Sequence, residues 1–402
     1  MRVLVVGAGI AGLSTALRLR QLGVDVTVAE QADAERGGGY MIDFFGPGID
    51  AAHQLNLDSA LRGIHAPVQR LRFVDRTGRQ RFAVNYGRMR RQLFHGRHFN
   101  FLRGDLERVL LTAVRRAQTK IVWGRRVVAV RPALEESQPV QVRYADGAAE
   151  RWDVVVGADG ANSAVRRSVL ARQEWSRRDL GHTVAAWMQG GPELSVDAHD
   201  FTTLTAPGRM VAVYPAGPNR TAVFFAHRSW DTQDDFARGM AATLRRRYGD
   251  LGWVVPRLLR GLSGLTRPYF DSTFQVHCTE WERGRVVLVG DACWCVSLLA
   301  GQGASLAVAG GLVLAEELAA RPDEVATAVG RYRDRLEPTV SRIARSGLRT
   351  ADWFIPDQRW RGQIRYLTLR GAAWPVTASL MSRALGVDGS IPSLGEESAS
   401  VA

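Results

Sequence analysis

The apolar positions of this chain change period several times, and each change marks a change of element. Arg2 to Val6 is a β-branched run without polar alternation, the pattern of a strand buried on both faces. Leu13, Ala16, Leu17 and Leu19 to Leu22 then form an apolar helical face that Gly23 ends, and Val24 to Ala29 makes a second strand. Ile49 to Arg62 has helical periodicity. From Val68 to Tyr86 the period drops to two around a turn at Asp75 to Gly78, which predicts a β-hairpin leaving the first layer. Met89 to His98 reads as a charged connection, and Leu106, Val109, Leu110 and Val114 share one face of a helix capped near Gly104 or Asp105.

Lys120 to Val130, Pro139 to Tyr144 and Glu150 to Val156 read as strands, the last running into Gly157-Ala158-Asp159-Gly160 and a helix capped by Asn162 or Ser163. Residues 176 to 276 alternate over several short segments with Pro, Gly and Asn turns, and helical signals follow at Thr232 to Tyr248 and Val254 to Leu262. The buried-strand pattern returns at Gly284 to Ala292, then a loop over Cys293 to Ala300 and a small-residue helix opened by Gly301-Gln302-Gly303-Ala304-Ser305. Helices are expected over Glu324 to Arg345 and Arg359 to Leu385, broken at Pro356 and Pro375, then a disordered tail over 387–402. This order of elements predicts an α/β fold: a Rossmann-like layer, an inserted, mostly antiparallel β-sheet that suits a substrate platform, and C-terminal helices.

Chemistry enters where strand meets helix. Gly7-x-Gly9-x-x-Gly12 stands at the first such junction. Gly7 permits the tight turn, Gly9 lets a diphosphate approach the backbone, and Gly12 lets helix and strand pack closely. Glu30, eighteen residues past Gly12, ends the second strand where a carboxylate can accept from a ribose 2′-hydroxyl. Arg36 stands in a Gly-rich loop, Arg36-Gly37-Gly38-Gly39, and could pair with a phosphate. Asp291 can accept from a ribityl hydroxyl, and the helix opening at Gly301 to Gly303 offers unpaired N–H groups to negative charge on a bound ring.

Composition alters little. The 46% apolar and 23% charged residues are ordinary for a globular enzyme, and the sequence shows no uninterrupted apolar segment long enough to span a bilayer. The net charge of +13 is nearly all arginine, Lys120 being the only lysine, and it is spread along the chain with no nucleic-acid recognition motif. Neither a nucleic-acid partner nor stable membrane insertion is expected. Cys278, Cys293 and Cys295 make no disulfide framework and lack metal-ligand spacing, so a cytoplasmic protein with small buried thiols and no metal is expected.

Taken together, the Gly7 fingerprint with Glu30, the Gly157-Ala158-Asp159-Gly160 turn with Ser163 and Arg166, and Gly290-Asp291 followed by Ala300-Gly301-Gln302-Gly303 resemble the para-hydroxybenzoate hydroxylase-like FAD monooxygenases. The resemblance covers roughly residues 1 to 345 and includes tetracycline-inactivating, polyketide-tailoring and decalin-forming [4+2] cyclase branches. It implies an FAD-binding domain over 1–70, 97–175 and 277–345, a substrate domain over 71–96 and 176–276, and a C-terminal helical segment over 346–386. FAD contacts are then expected from Gly7, Gly9, Ile10, Ala11, Gly12, Glu30, Gln31, Arg36, Gly39, Arg103, Val127, Asp159, Gly160, Asp291, Gly301, Gln302, Gly303 and Ala304. Val127 would touch adenine, and Arg103 the flavin.

The resemblance further implies oxygenation of a hydrophobic small molecule, aromatic or polyketide-like, with NAD(P)H reducing the flavin and O₂ supplying the oxygen. Such enzymes carry no second nucleotide fingerprint and need no acid–base dyad, and no catalytic residue stands out in this sequence. Tyr40, Phe44, Phe45, Trp187, Tyr214, Phe225 and Trp294 are expected to line the substrate pocket. Where the family has a histidine and a proline pair, this chain has Cys293-Trp294-Cys295-Val296-Ser297-Leu298-Leu299, and Ala304-Ser305 replaces the usual asparagine. Those departures keep a cyclase using FAD as a structural platform, or a flavoprotein with only a partner role, as alternatives to the oxygenase. A halogenase is disfavoured because Trp353-Phe354-Ile355-Pro356 lacks the paired tryptophans of the W-x-W-x-I-P signature.

Overall fold

The computed structural model describes residues 1–358 apart from 36–38, 95, 133–137, 191–193, 195–196, 198, 217–219 and 267. Arg36, the expected helix over Arg359 to Leu385 and the expected tail over 387–402 lie outside the described residues.

The β-branched runs form the parallel layer. Its strand order is Glu282–Arg283, Val286–Leu288, Val154–Gly157, Arg2–Val6, Asp25–Ala29 and Lys120–Val122. Only the first of these pairs antiparallel to its neighbour. Arg2–Val6 lies near the middle, with Val3, Leu4 and Val5 fully buried, as expected of a strand covered on both faces. Helices Ile10–Gln21 and Gly303–Ala320 pack across this layer. They approach closely because Gly311 has no side chain: a Cβ there would lie 2.8 Å from the Ala11 carbonyl oxygen. Gly303–Ala320 has a mean hydropathy of 1.4 and is long and apolar enough to cross a membrane, which corrects the reading that no such segment exists. Since 61% of it is buried inside the protein, its composition is explained by the core.

The second layer is a mostly antiparallel sheet ordered Tyr269–Cys278, Trp175–Gly190, Arg220–Arg228, Arg209–Pro215, Asp200–Ala206, Arg70–Val74 and Gln80–Asn85. Its last two strands are the predicted hairpin, joined to the rest by a parallel pairing of Arg70–Val74 with Asp200–Ala206. Buried Asp200 fixes that junction, accepting from Arg70 at 2.7 and 3.1 Å.

Several expected elements divide. Lys120 to Val130 is two strands in different sheets, Lys120–Val122 and Val127–Arg131, because the chain turns at Gly124, whose φ is +68°. Glu150 to Val156 likewise splits into Ala149–Trp152 and Val154–Gly157, and Ile49 to Arg62 into helices Pro47–Gln54 and Asp58–Ile64. The charged connection after Met89 is in fact helix Tyr86–Phe94 and strand His98–Leu102, which pairs with Met41–Phe45. Met89, Leu93 and Phe94 bury one face of that helix beneath its arginines. Arg103 is the first residue of helix Arg103–Arg116, and the helix expected to end at Arg345 continues to Phe354.

Candidate functional site

A trough runs along the C-terminal edge of the parallel layer, the position where open α/β sheets bind their ligands. One chamber, about 400 Å³, is lined by Gly7, Gly9, Glu30, Gln31, Arg103, Val127, Asp159 and Gly160 among others. A second, about 340 Å³, is lined by Gly9, Ile10, Ala11, Tyr40, Arg103, Gly160, Asp291, Gly301, Gly303 and Ala304. Gly9, Arg103, Ala158 and Gly160 border both, so the chambers adjoin.

At the first chamber the turn is built for close approach. Gly7 has φ +107°, and a Cβ there would lie 2.5 Å from the Ala158 carbonyl oxygen. A Cβ on Gly12 would lie 2.0 Å from the Gly7 carbonyl oxygen, whereas one on Gly9 would meet nothing within 4 Å. Gly7 and Gly12 are thus filled by the protein's own backbone, and Gly9 fronts open space at the start of the helix. Glu30 Oε2 accepts from the Ala8 N–H at 2.7 Å and Oε1 from the Ala32 N–H at 2.9 Å, so the acid is anchored against the turn. Asp159 Oδ2 accepts from the N–H groups of Ala164 and Val165, while its Oδ1 is buried without a partner. Burial pushes the Asp159 carboxyl above the usual carboxylate range against the hydrogen bonds it accepts. An open glycine at a helix N-terminus, an anchored acid at the strand end and an orphaned oxygen beside them fit the ribose and diphosphate of a dinucleotide.

At the junction Arg103 pairs with Glu107 at 2.8 Å. Burial works against its charge, but Glu107, Tyr40 and Asp291 hold it protonated beyond the ordinary arginine value. Burial raises the carboxyl of Asp291 although Arg103 lies near, and raises the Tyr40 phenol. Tyr40 packs on Tyr269 with ring centroids 5.5 Å apart. Gln302 and Gly12 lie behind the wall, and Gly39 is held beside Arg103.

A further side chain ties the motif loops together. Arg166 is 1% exposed, donates to the carbonyls of Ala292 at 2.8 Å and Ala161 at 2.6 Å, and lies 4.4 Å from the ring centroid of Trp175. It straps the Asp159 turn to the Asp291 turn. Cys278 and Cys293 are buried beside it; burial pushes the Cys293 thiol well up, while a hydrogen bond with Cys293 and the nearby Arg166 pull the Cys278 thiol down.

Of the seven aromatics expected at the substrate, Tyr40 and Tyr214 line the second chamber. The other five do not. Phe44 is fully buried against Phe101, and Phe45 packs on Phe94 at 4.6 Å. Trp187 and Phe225 stack at 5.3 Å on the opposite face of the antiparallel sheet, under the outer helices with Tyr248. Trp294 points away from the chamber, donating to Tyr332 Oη at 3.2 Å. For Trp187 and Phe225 the reason is strand alternation, which turns neighbours to opposite faces: Phe224, not Phe225, reaches the chamber, with Phe201, Met210, Tyr269, Phe274, Leu298 and Leu299. The period-two pattern identifies the two faces without saying which one meets the cavity.

The sequence reading also passed over Asp43. Its Oδ1 accepts from Tyr86 Oη at 3.0 Å, from His98 Nε2 at 3.0 Å and from the Asn100 amide, and the residue lines the second chamber. Burial works against its charge, but His98, Tyr86 and Asn100 hold the carboxyl below the usual carboxylate range. Its partners come from a separate strand and helix, so no local motif announces it.

The family model described as an FAD binding domain matches residues 94–329, more than half of the chain, and one described as an FAD dependent oxidoreductase matches residues 2–40. A flavin-dependent monooxygenase from an unknown prokaryotic organism is 30% identical over 364 residues, covering 89% of this chain and 91% of the relative. The flavin-dependent monooxygenase eupH of Phoma sp is 30% identical, covering 79% of this chain and 77% of that protein. The crystal structure of tetracycline destructase Tet(55) superimposes with a TM-score of 0.80 at 27% identity, over 94% of this chain and 96% of that one. With the trough and these likenesses together, the chain belongs to the FAD-binding-domain family of flavin-dependent monooxygenases, enzymes that use FAD.

Proposed function

We propose that this enzyme hydroxylates or epoxidises an aromatic or polyketide-like molecule, with NAD(P)H as reductant and O₂ as oxygen donor. The observation that carries the reading is the adjacency of the two chambers: the one lined by the Gly9 turn and Glu30 shares Gly9, Arg103 and Gly160 with one walled by Phe201, Met210, Tyr214, Phe224 and Tyr269. Residues 1–70, 97–175 and 277–345 would hold the cofactor, and 71–96 with 176–276 would supply the platform. Bound FAD supplies the redox chemistry. The protein's own residues do the rest: Glu30 and the Gly9 turn seat the ribose and diphosphate, Arg103 and Asp291 orient the ring end, and the apolar wall excludes water.

The relatives' names agree with this class, eupH being a flavin-dependent monooxygenase and Tet(55) a tetracycline destructase. Rapid-mixing measurements of flavin bleaching by NADPH, with and without a polycyclic phenol, followed by product mass, test it. Bleaching accelerated by the phenol and one oxygen gained is expected. A product isomeric with its substrate, formed without bleaching, would establish the cyclase instead.

A further inference from the structure

Alternation along Met41–Phe45 turns Met41, Asp43 and Phe45 to one face, toward the antiparallel sheet. Met41 packs beside Tyr214 and Phe224, and Phe45 against Phe94, so Asp43 stands between them at the end of the substrate chamber. Tyr86, His98 and Asn100 all converge on one of its oxygens, Oδ1. His98 is fully enclosed and its ring is stacked on Phe94 at 4.7 Å, which fixes the direction of its donor. Among the described residues no protein group reaches Oδ2, and the side chain keeps 40% of its accessibility.

Beside Met41 the wall is apolar at Phe201 and Phe224, and the Tyr214 hydroxyl, which accepts from the Met41 N–H at 2.8 Å, has only its own proton left to offer; the chamber's other polar side chains include Arg103, Tyr269, Ser272, Asp291 and Ser297. An acceptor needed only to tie three donors together would be satisfied with one oxygen. Here the carboxylate borders the chamber with its second oxygen left without a protein donor, able to accept from a substrate group that displaces water.

Resting on the monooxygenase reading of this chamber, we infer that Asp43 is its specificity-determining anchor: Oδ2 accepts from a hydroxyl or ammonium substituent of the substrate and repels ring carboxylates. His98 is a positioning residue that holds Asp43 in that direction. The substrate class is therefore a neutral or cationic polycycle that presents a donor, not an aromatic acid. Repulsion of the wrong partner contributes to selection as much as attraction of the right one.

The test uses full-length, FAD-loaded protein and three probes sharing one naphthalene ring, 2-naphthylmethylamine, 2-naphthol and 2-naphthoate, each titrated while the bound flavin's absorbance is followed. The amine and the naphthol should bind at least about tenfold tighter than the carboxylate, the factor expected for one hydrogen bond to a charged group. Asp43→Asn, which keeps the shape and stays yellow, should bring the three probes to within about threefold of one another. Naphthoate binding the wild type as tightly as the amine would overturn the anchor while leaving the chamber reading intact, and it needs no variant to fold. Probes that all leave the wild-type flavin spectrum unchanged would overturn the chamber reading, and the anchor with it.

Discussion

The α-hydrogen side of Gly12 faces the carbonyl oxygen of Gly7 so closely that a Cβ would lie 2.0 Å away, yet Gly9, three residues earlier, faces open space. The fingerprint therefore contains glycines needed for two different reasons, and substitution separates them. Gly12→Ala drives a methyl into backbone that cannot turn aside, and should destabilise by about 1–3 kcal/mol or more, read as a lower Tm or as insoluble protein. Gly9→Ala adds a Cβ that meets no protein atom within 4 Å, and Gly9→Val enlarges it toward the open side, so the circular dichroism spectrum should be kept while FAD affinity falls at least about tenfold and the yellow colour is lost on gel filtration. A yellow Gly9→Val protein would contradict the cofactor position.

Phe224 and Phe225 should behave oppositely although they are adjacent. Phe225→Ala removes a fully buried ring from the outer core beneath Tyr248 and should cost about 3–5 kcal/mol of stability, leaving KM for a tight-binding substrate near the wild-type value. Phe224→Ala opens the chamber, so KM should rise with a smaller fall in Tm. Steady-state kinetics and thermal melts on both variants check the assignment of sheet faces.

His227 lies between Asp235, 3.0 Å from Nε2, and Tyr248, 3.2 Å from Nδ1, behind the antiparallel sheet. Burial pulls its pKa down to about 4, outweighing Asp235, while nearby Arg247 and His182 add to the fall. A histidine harder to protonate folded than unfolded stabilises the protein fully above its ordinary value near 6.5, and that contribution is lost as pH falls from there toward 4. The loss should be on the order of 3 kcal/mol. His227→Gln should be less stable at pH 7.5 and show a shallower decline of urea midpoint between pH 6.5 and 4.

Arg166→Met keeps much of the volume but strands the Ala161 and Ala292 carbonyls that the guanidinium serves. Unfolding free energy should drop by about 2–4 kcal/mol, and FAD should dissociate faster because the Asp159 and Asp291 turns are no longer strapped together. Stopped-flow release of flavin fluorescence measures the second effect apart from the first. Unchanged release would show that the strap acts on stability alone.

The nucleotide end of the trough was legible because its signals are short-range. Gly7, Gly9, Gly12 and Glu30 stand within one strand–helix–strand unit, and glycine spacing there has few alternative meanings. The chamber end was not, since Asp43 meets His98 across 55 residues and Arg166 meets Ala292 across 126. The β-branched and aromatic pattern correctly announced strands over 183 to 226, but packing of the outer helices decides which face is covered, and that choice placed Trp187 and Phe225 away from the ligand. Helix Tyr86–Phe94 was masked by its arginines, which hide the spacing of buried Met89 and Leu93 in a charged stretch.

The strand order of the parallel layer also dictates a timetable for biosynthesis. Arg2–Val6 leaves the ribosome with Asp25–Ala29 close behind, but its other neighbour is Val154–Gly157, and that strand is flanked in turn by Val286–Leu288. A nascent chain halted before residue 286 carries the whole fingerprint yet leaves an apolar, hydrogen-bonding strand edge uncovered. Such contacts between distant segments form slowly, so the unfinished polypeptide should be a client for chaperones, and C-terminal truncations should aggregate rather than yield a smaller flavoprotein.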